Sequence, residues 1–345
     1  MESRFANQTE IDQWNEHLIT NPDGANMFQS KEFLDIKLKN RWTIRFAVID
    51  GIYISITERK IPFLGNFWYL PKGPGVTSLG ELKKLLPSLK AFALKNKVFM
   101  IRMEPEIIKT DENVAKLKKM GLSTYFGIQV PNTIILDTRP PVDEIEAGFS
   151  SKTRYNIRAA RKAGITTEIV PINDANCDIF YDMLDSLIHG RAALRSREYL
   201  KLFWQQHYQA GTGIFMFAKS GSQVVATDFI IILGAKGTRK DAASIRDSAV
   251  RGASALLEID AIRYMKNQGV TTYDLCGSPP SDRIKDPTHP HYGFGSFKTG
   301  FSPDVTDFIG SCDLAINPTA YKLWRKIGER IAHRAYRYLY HETFY

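Results

Sequence analysis

Cysteine is scarce in this chain, three in 345 residues, and no apolar run approaches the length that crosses a bilayer. Cys177, Cys276 and Cys312 lie far apart and show no C-x-x-C spacing. That excludes a disulfide-stapled scaffold, makes a zinc site unexpected and leaves buried thiols as the ordinary reading. His289 and His291 flank Pro290 without a third ligand nearby, so a metal site is not expected. The start, Met1-Glu2-Ser3, lacks a basic and apolar leader, which predicts a cytoplasmic protein.

Acid is scarce only locally. The formal charge is +9, and residues 151–164 carry Lys152, Arg154, Arg158, Arg161 and Lys162 with no carboxylate among them. From Tyr321 to Tyr345 six Lys/Arg face only Glu329 and Glu342. Those two segments hold the whole excess. A balanced body with two basic stretches points to a localised polyanion contact, either nucleic acid, phosphate or an anionic membrane face. Solvated helix faces are the plainer alternative.

With 43% hydrophobic residues, the chain is large enough for two globular domains. Periodicity predicts helices over 11–18 and 30–39, a hairpin of 42–49 and 53–58 through Asp50-Gly51, and a strand at 67–70. A helix at 79–95, a strand at 98–103 ending on Glu104-Pro105, a helix at 112–120 and a strand at 132–136 close this half. The second half repeats the grammar. A helix at 152–162 stops at Gly164, then come a strand at 166–170 and helices at 178–188 and 197–208. Strands at 213–218 and 223–233 flank Ser220-Gly221, a strand at 242–246 leads into a helix at 253–267, and a strand follows at 271–275. The pattern reads as two α/β domains in tandem.

Three segments carry candidate chemistry. Arg251-Gly252-Ala253-Ser254-Ala255 opens a helix after a strand, where small residues and free amides could hold a pyrophosphate. It resembles the acyl-CoA loop of the GNAT N-acyltransferases, with Ala and Ser where that family prefers glycines. Phe294-Gly-Ser-Phe297-Lys298-Thr-Gly-Phe301 sets a lysine among aromatics in an expected loop, fit to place one ammonium beside a developing oxyanion. An exposed lysine between two core phenylalanines is the alternative. Arg191, Arg195, Arg197 and Tyr199 form the third group, with Arg195 and Tyr199 spaced to share a helical face. The tail sets Leu323, Trp324, Ile327, Ile331, Ala335 and Leu339 at helical spacing among Lys322, Lys326, Arg330, Arg334 and Arg337. That suits an interfacial helix or one packed on the first domain.

Taken in order, Phe28-Gln29-Ser30 with Lys37, Lys152-Thr-Arg-Tyr-Asn-Ile-Arg158, Arg195 to Tyr199, Tyr273-Asp-Leu-Cys-Gly277 and Phe297-Lys-Thr-Gly-Phe301 resemble the Fem peptidoglycan aminoacyltransferases over nearly the full chain. That family builds interpeptide bridges from aminoacyl-tRNA. The resemblance implies two tandem GNAT-like domains, each a mixed sheet flanked by helices. They are expected at 1–145, with 311–345 packing back on it, and at 146–310. It implies a monomer that takes aminoacyl-tRNA and a peptidoglycan precursor, either lipid II or UDP-MurNAc-pentapeptide, and needs no cofactor. Lys37, Arg195 and Tyr199 would hold the precursor's diphosphate and sugar, and Phe297, Lys298, Arg154 and Arg158 the tRNA with its aminoacylated end. Lys298 would be catalytic, with Glu104 as candidate base where relatives often carry Asp. The chain lacks the tyrosines of some relatives around Ala242 to Ser244 and the long helical arm between Ile188 and Gly213. The other functions left open are an acyl-CoA-dependent N-acyltransferase and a non-catalytic RNA-binding module using the basic helix.

Overall fold

The computed structural model describes all residues except 1, 40, 126, 189–193, 246, 248, 249 and 341–343. They fall into two compact units, Met1–Pro131 with Phe308–Tyr345, and Asn132–Asp307.

The first unit carries a seven-stranded sheet in the order Ser3–Phe5, Thr43–Ile49, Ile52–Ile61, Gly65–Leu70, Val98–Met103, Cys312–Ala315, Leu122–Thr124. Its hairpin turns at Asp50 and Gly51, both left-handed with φ of 50° and 83°, the conformation a two-residue turn needs to match strand twist. After Leu70 the chain crosses through the helix Leu79–Lys95 and returns as Val98–Met103, parallel to Gly65–Leu70. Ser78 and Glu81 cap that helix reciprocally, and Leu82, Leu85, Leu89 and Phe92 give it one buried stripe.

Arg102 interrupts the apolar strand Val98–Met103 and is fully buried. Its guanidinium donates to both oxygens of Asp313 at 2.7 and 2.8 Å, and also to Glu329 and Tyr345. A buried cation persists only when compensated in this way, and here the compensation ties the C-terminal segment to the sheet.

The second unit carries a six-stranded sheet in the order Ile135–Asp137, Thr272–Asp274, Lys236–Ser244, Gln223–Leu233, Gly213–Ser220, Thr166–Val170. Its topology follows the same rule: an antiparallel meander, then a crossover helix, Ala253–Asn267, to one parallel neighbour. Both units are mixed sheets flanked by helices, the α/β class expected from the sequence.

Several boundaries differ from the expectation. The helix foreseen over 11–18 breaks at Gln13 into Gln8–Asp12 and Trp14–Leu18. The strand foreseen at 132–136 does not close the first unit. Ile135–Asp137 pairs with Thr272–Asp274, and Asn132–Thr133 pairs with Thr306–Asp307. The units therefore divide after Pro131 and Asp307. The segment foreseen at 242–246 is the far part of a longer strand, Lys236–Ser244, and Arg246 lies outside the described residues.

Candidate active site in the second unit

The parallel pairing of Lys236–Ser244 with Thr272–Asp274 stops at Thr238 and Asp274. Beyond it the chain turns away through Cys276 and Gly277, both left-handed with φ of 58° and 62°. Asp274 stabilises that turn by accepting from the Cys276 amide at 2.7 Å. The other strand runs on, and its register against Gln223–Leu233 shifts between Phe229 and Ile230, leaving Lys240 in a bulge.

Lys298 is held in this opening. Its Nζ donates to the carbonyl oxygens of Cys276 and Gly277, the latter at 2.6 Å. An ammonium has three protons, so one remains for a substrate. The residue is not in a loop: it ends the helix Tyr292–Lys298 and is only 8% exposed. A side chain on Gly295 would meet Pro279 at 2.5 Å, so glycine is what lets this helix approach so closely. Burial pushes the Lys298 ammonium below the usual lysine range, and the Arg239 charge adds to the effect.

Three residues that sequence reasoning did not single out, Arg239, Asp228 and Glu258, sit near it with Tyr273 of the Tyr-Asp-Leu-Cys-Gly segment. Arg239 donates to Asp228 at 2.6 Å and to Glu258, and the Tyr273 hydroxyl donates to Glu258 at 2.9 Å. Burial pushes both carboxyls up, while the Arg239 charge opposes it. The Arg239 guanidinium also lies 5.4 Å from the centre of the Phe297 ring. The available signal was an acid in the otherwise apolar stretch around Asp228 and another, Glu258, between Leu257 and Ile259 on the helix Ala253–Asn267.

The motifs converge on the helix Ser151–Lys162. A Cβ on Gly300 would meet Thr153 Oγ1 at 2.3 Å, and the Ser150 amide donates to the Gly300 carbonyl at 2.9 Å. Phe301 is buried with its ring 5.1 Å from that of Phe149. A Cβ on Gly252, whose φ is 88°, would stand 2.1 Å from the Asn156 carbonyl oxygen. The glycine once compared with an acyl-CoA loop thus accommodates a neighbouring helix.

The basic helix divides its arginines. Arg154 donates to the carbonyls of Ala147 and Phe149 and so closes the preceding helix, Val142–Gly148. Arg161 pairs with Glu146 at 3.1 Å, while Arg158 and Lys152 are exposed.

Arg195 and Tyr199 meet, though not as foreseen. The helix Arg197–Gln209 begins after the N-cap Ser196, so Arg195 precedes it and shares no helical face. Its guanidinium nevertheless lies 5.2 Å from the Tyr199 ring centre. Arg197 is engaged by Asp178 and Asp182, and Arg191 lies outside the described residues.

Two candidates belong to the first unit. Lys37 is buried on the helix Lys31–Lys39, with Nζ 5.2 Å from the Phe33 ring centre. Glu104 follows Val98–Met103 and is buried, with its carboxylate accepting from Tyr69 Oη at 2.6 Å, Ser311 Oγ at 2.7 Å and the amides of Ile128 and Gln129 at 2.8 and 3.0 Å. Three of these donors converge on Oε1 and Tyr69 alone meets Oε2, so the carboxylate ties together the segments that carry them.

Among known proteins, a 75-residue stretch is 29% identical to "Lipid II:glycine glycyltransferase" of Staphylococcus epidermidis, covering 22% of this chain and 17% of that protein. The protein of the same name from Staphylococcus aureus is 21% identical, with 90% of this chain and 93% of the relative covered. A crystal structure of FemX superposes with a TM-score of 0.79 at 18% identity, over 95% of this chain and 100% of that one, a likeness of fold. The FemAB family model matches residues 8–220 and 248–328, and over that extent the match shows that the chain belongs to the FemAB family.

Proposed function

We propose that this chain transfers an amino acid from aminoacyl-tRNA to the stem-peptide amine of a peptidoglycan precursor, lipid II or UDP-MurNAc-pentapeptide. The family match supports interpeptide-bridge aminoacyl transfer as the reaction class. The observation that carries the finer reading is the Lys298 ammonium, fixed by two carbonyls with its third proton uncommitted. In the transfer the amine attacks the ester carbonyl, a C–N bond forms, the C–O bond to the ribose breaks, and the amine's proton ends on the ribose oxygen.

Lys298 would meet the oxyanion and then the departing ribose oxygen. An ammonium whose acidity is raised by burial is a better donor to that oxygen than an ordinary lysine. Holding both substrates supplies much of the remaining rate, because the aminoacyl ester is already activated. Phe297, half-buried beside Lys298, would stack on the terminal base, and exposed Arg158 would take a tRNA phosphate. In this reading Arg154 shapes the helix that carries Arg158.

Arg195 and Tyr199 are assigned to the precursor's diphosphate and sugar, and the resemblance gives Lys37 a part in the same task. Glu104 keeps its loop in place, and the amine loses its proton to water or to a group on the substrates. An acyl-CoA donor finds no support at Gly252, whose missing side chain is accounted for by the close approach of the Asn156 carbonyl. The deciding experiment offers radiolabelled charged tRNA and acetyl-CoA separately, each with lipid-linked and soluble precursor. Label moving from charged tRNA alone is expected; label moving only from acetyl-CoA would overturn the reading.

A further inference from the structure

The basic tail also forms a site of its own within the first unit. It runs through Pro318–Leu323, a π-helical turn at Trp324–Gly328 and the helix Glu329–Tyr340. Trp324 is buried among Phe67, Phe99 and Phe344, which anchors the segment. With about 3.6 residues per turn, the remainder sorts into three faces. Glu329, Ala332, His333 and Tyr336 point inward, and Arg330, Arg334 and Arg337 line one outer flank. Ile331, Tyr338 and Leu339 line the other, and they are 61%, 82% and 61% exposed. One and two turns earlier, Ile327 and Leu323 extend the apolar exposure at 41% and 47%.

Beside the basic flank lies an open groove of about 680 Å³, lined by Tyr125, Arg325, Glu329, Arg330, His333 and Arg334. The Arg325 and Arg102 guanidiniums stand 4.6 and 3.4 Å from the centre of the Tyr125 ring. Glu329 is shared by Arg325 and Arg102, and Arg102 also pairs with the carboxylate of Asp313. Four guanidiniums therefore answer to two carboxylates. Arg330 bonds only the Lys326 carbonyl, and Arg334 has no partner among the described residues. A groove with surplus guanidinium suits a phosphate.

An apolar strip of this size beside such a groove does not suit a soluble anion. We propose that the tail docks on an anionic bilayer surface, with a phospholipid headgroup phosphate in the groove between Arg330 and Arg334 and with Ile327, Ile331 and Leu339 entering the acyl boundary. The charge segregation matches that surface, phosphates on one flank and hydrocarbon on the other. No helix among the described residues is long and apolar enough to span a membrane, so the contact is interfacial. The proposal deepens the membrane side of the proposed function and rests on that reading only for its purpose, since docking requires neither donor nor acceptor.

The test is co-sedimentation of the full chain with phosphatidylcholine vesicles, with and without phosphatidylglycerol, in the absence of tRNA and precursor. Binding only to the anionic vesicles is expected. Removing two phosphate-facing cations in R330Q/R334Q should weaken partitioning roughly thirtyfold. I327Q/I331Q should weaken it comparably. K118Q/K119Q, an exposed pair of equal charge on the helix Asp111–Lys119, should change it less than threefold. Equal losses in both charge variants would reduce the groove to ordinary surface charge and overturn the proposal. So would R330Q/R334Q binding vesicles normally while losing affinity for deacylated tRNA. Failure of transfer with normal vesicle binding would count against the proposed reaction and leave the docking site standing.

Discussion

The parallel strand pair of each unit ends in a turn, and the two turns are satisfied with opposite charge. In the first unit Glu104 follows the strand and collects four donors from its own unit. In the second, Cys276 and Gly277 follow the strand, and their carbonyls collect the Lys298 ammonium. The first arrangement is buried and holds its carboxylate through side-chain and backbone donors together. The second holds a buried ammonium through two carbonyls just past the point where the strand pairing stops, with one proton beyond those two bonds. Two copies of one topology have thus produced one turn gathered round a carboxylate and one gathered round an ammonium.

Removing Lys298 should break that contrast most severely. Lys298→Ala is expected to lower transfer from charged tRNA by roughly three orders of magnitude, the scale on which oxyanion donors act, with the circular dichroism spectrum retained. Near-normal turnover would sink the assignment. Glu104→Gln should act on stability instead. An amide oxygen can still accept from the three donors at Oε1, but its NH2 reverses the bond with the Tyr69 hydroxyl and the charge is lost, at a cost of about 1–3 kcal/mol in chemical denaturation, with transfer per folded molecule changed less than fivefold. A loss of turnover approaching that of Lys298→Ala would show the first junction to be chemical as well.

The pH profile sharpens the same comparison. The protonated form of Lys298 is the useful one, and burial lowers its pKa, so turnover should fall on the alkaline side at a pH below the ordinary lysine value of about 10.4. Lys298→Arg, which stays protonated, should lose that alkaline limb while running more slowly. A limb unchanged in Lys298→Arg would assign the titration to another group. The smallest effect separates the two arginines of the basic helix. Arg158→Gln should flatten the log–log salt dependence of tRNA binding by about 0.7 to 0.9, while Arg154→Gln should lower the melting temperature and leave that slope alone.

The periodic elements were legible because amphipathic stripes and Asp-Gly or Ser-Gly turns act locally. The helices at 79–95 and 253–267 and the strand at 223–233 fall where their patterns put them. Cys312–Ala315 was not foreseen as a strand, since its four residues take their identity from Val98–Met103 and Leu122–Thr124 on either side. At the candidate site, the Lys-Thr-Arg-x-Asn-Ile-Arg and Phe-Lys-x-Gly-Phe segments both fall in the second unit. Their convergence through Gly300 and Gly252 is a matter of tertiary approach. The segment around Lys298 suits either a placed ammonium or an exposed lysine, and its carbonyl partners, distant in sequence, are not visible in it. Arg239 and Lys240 sit in a strand without polar–apolar alternation, where a bulge, not a period, decides which way they face.

The sheet of the first unit has a consequence for the order in which the molecule is made. Cys312–Ala315 lies between Val98–Met103 and Leu122–Thr124, so those strands wait for a partner synthesised after all of Asn132–Asp307. The second unit is continuous and can finish on the ribosome while the first still lacks an inner strand. Arg102 spends that interval without Asp313, a buried cation whose counter-ion has not yet been translated. The half of the protein that begins first is therefore the half completed last, and its window for misfolding lasts as long as the translation of the other.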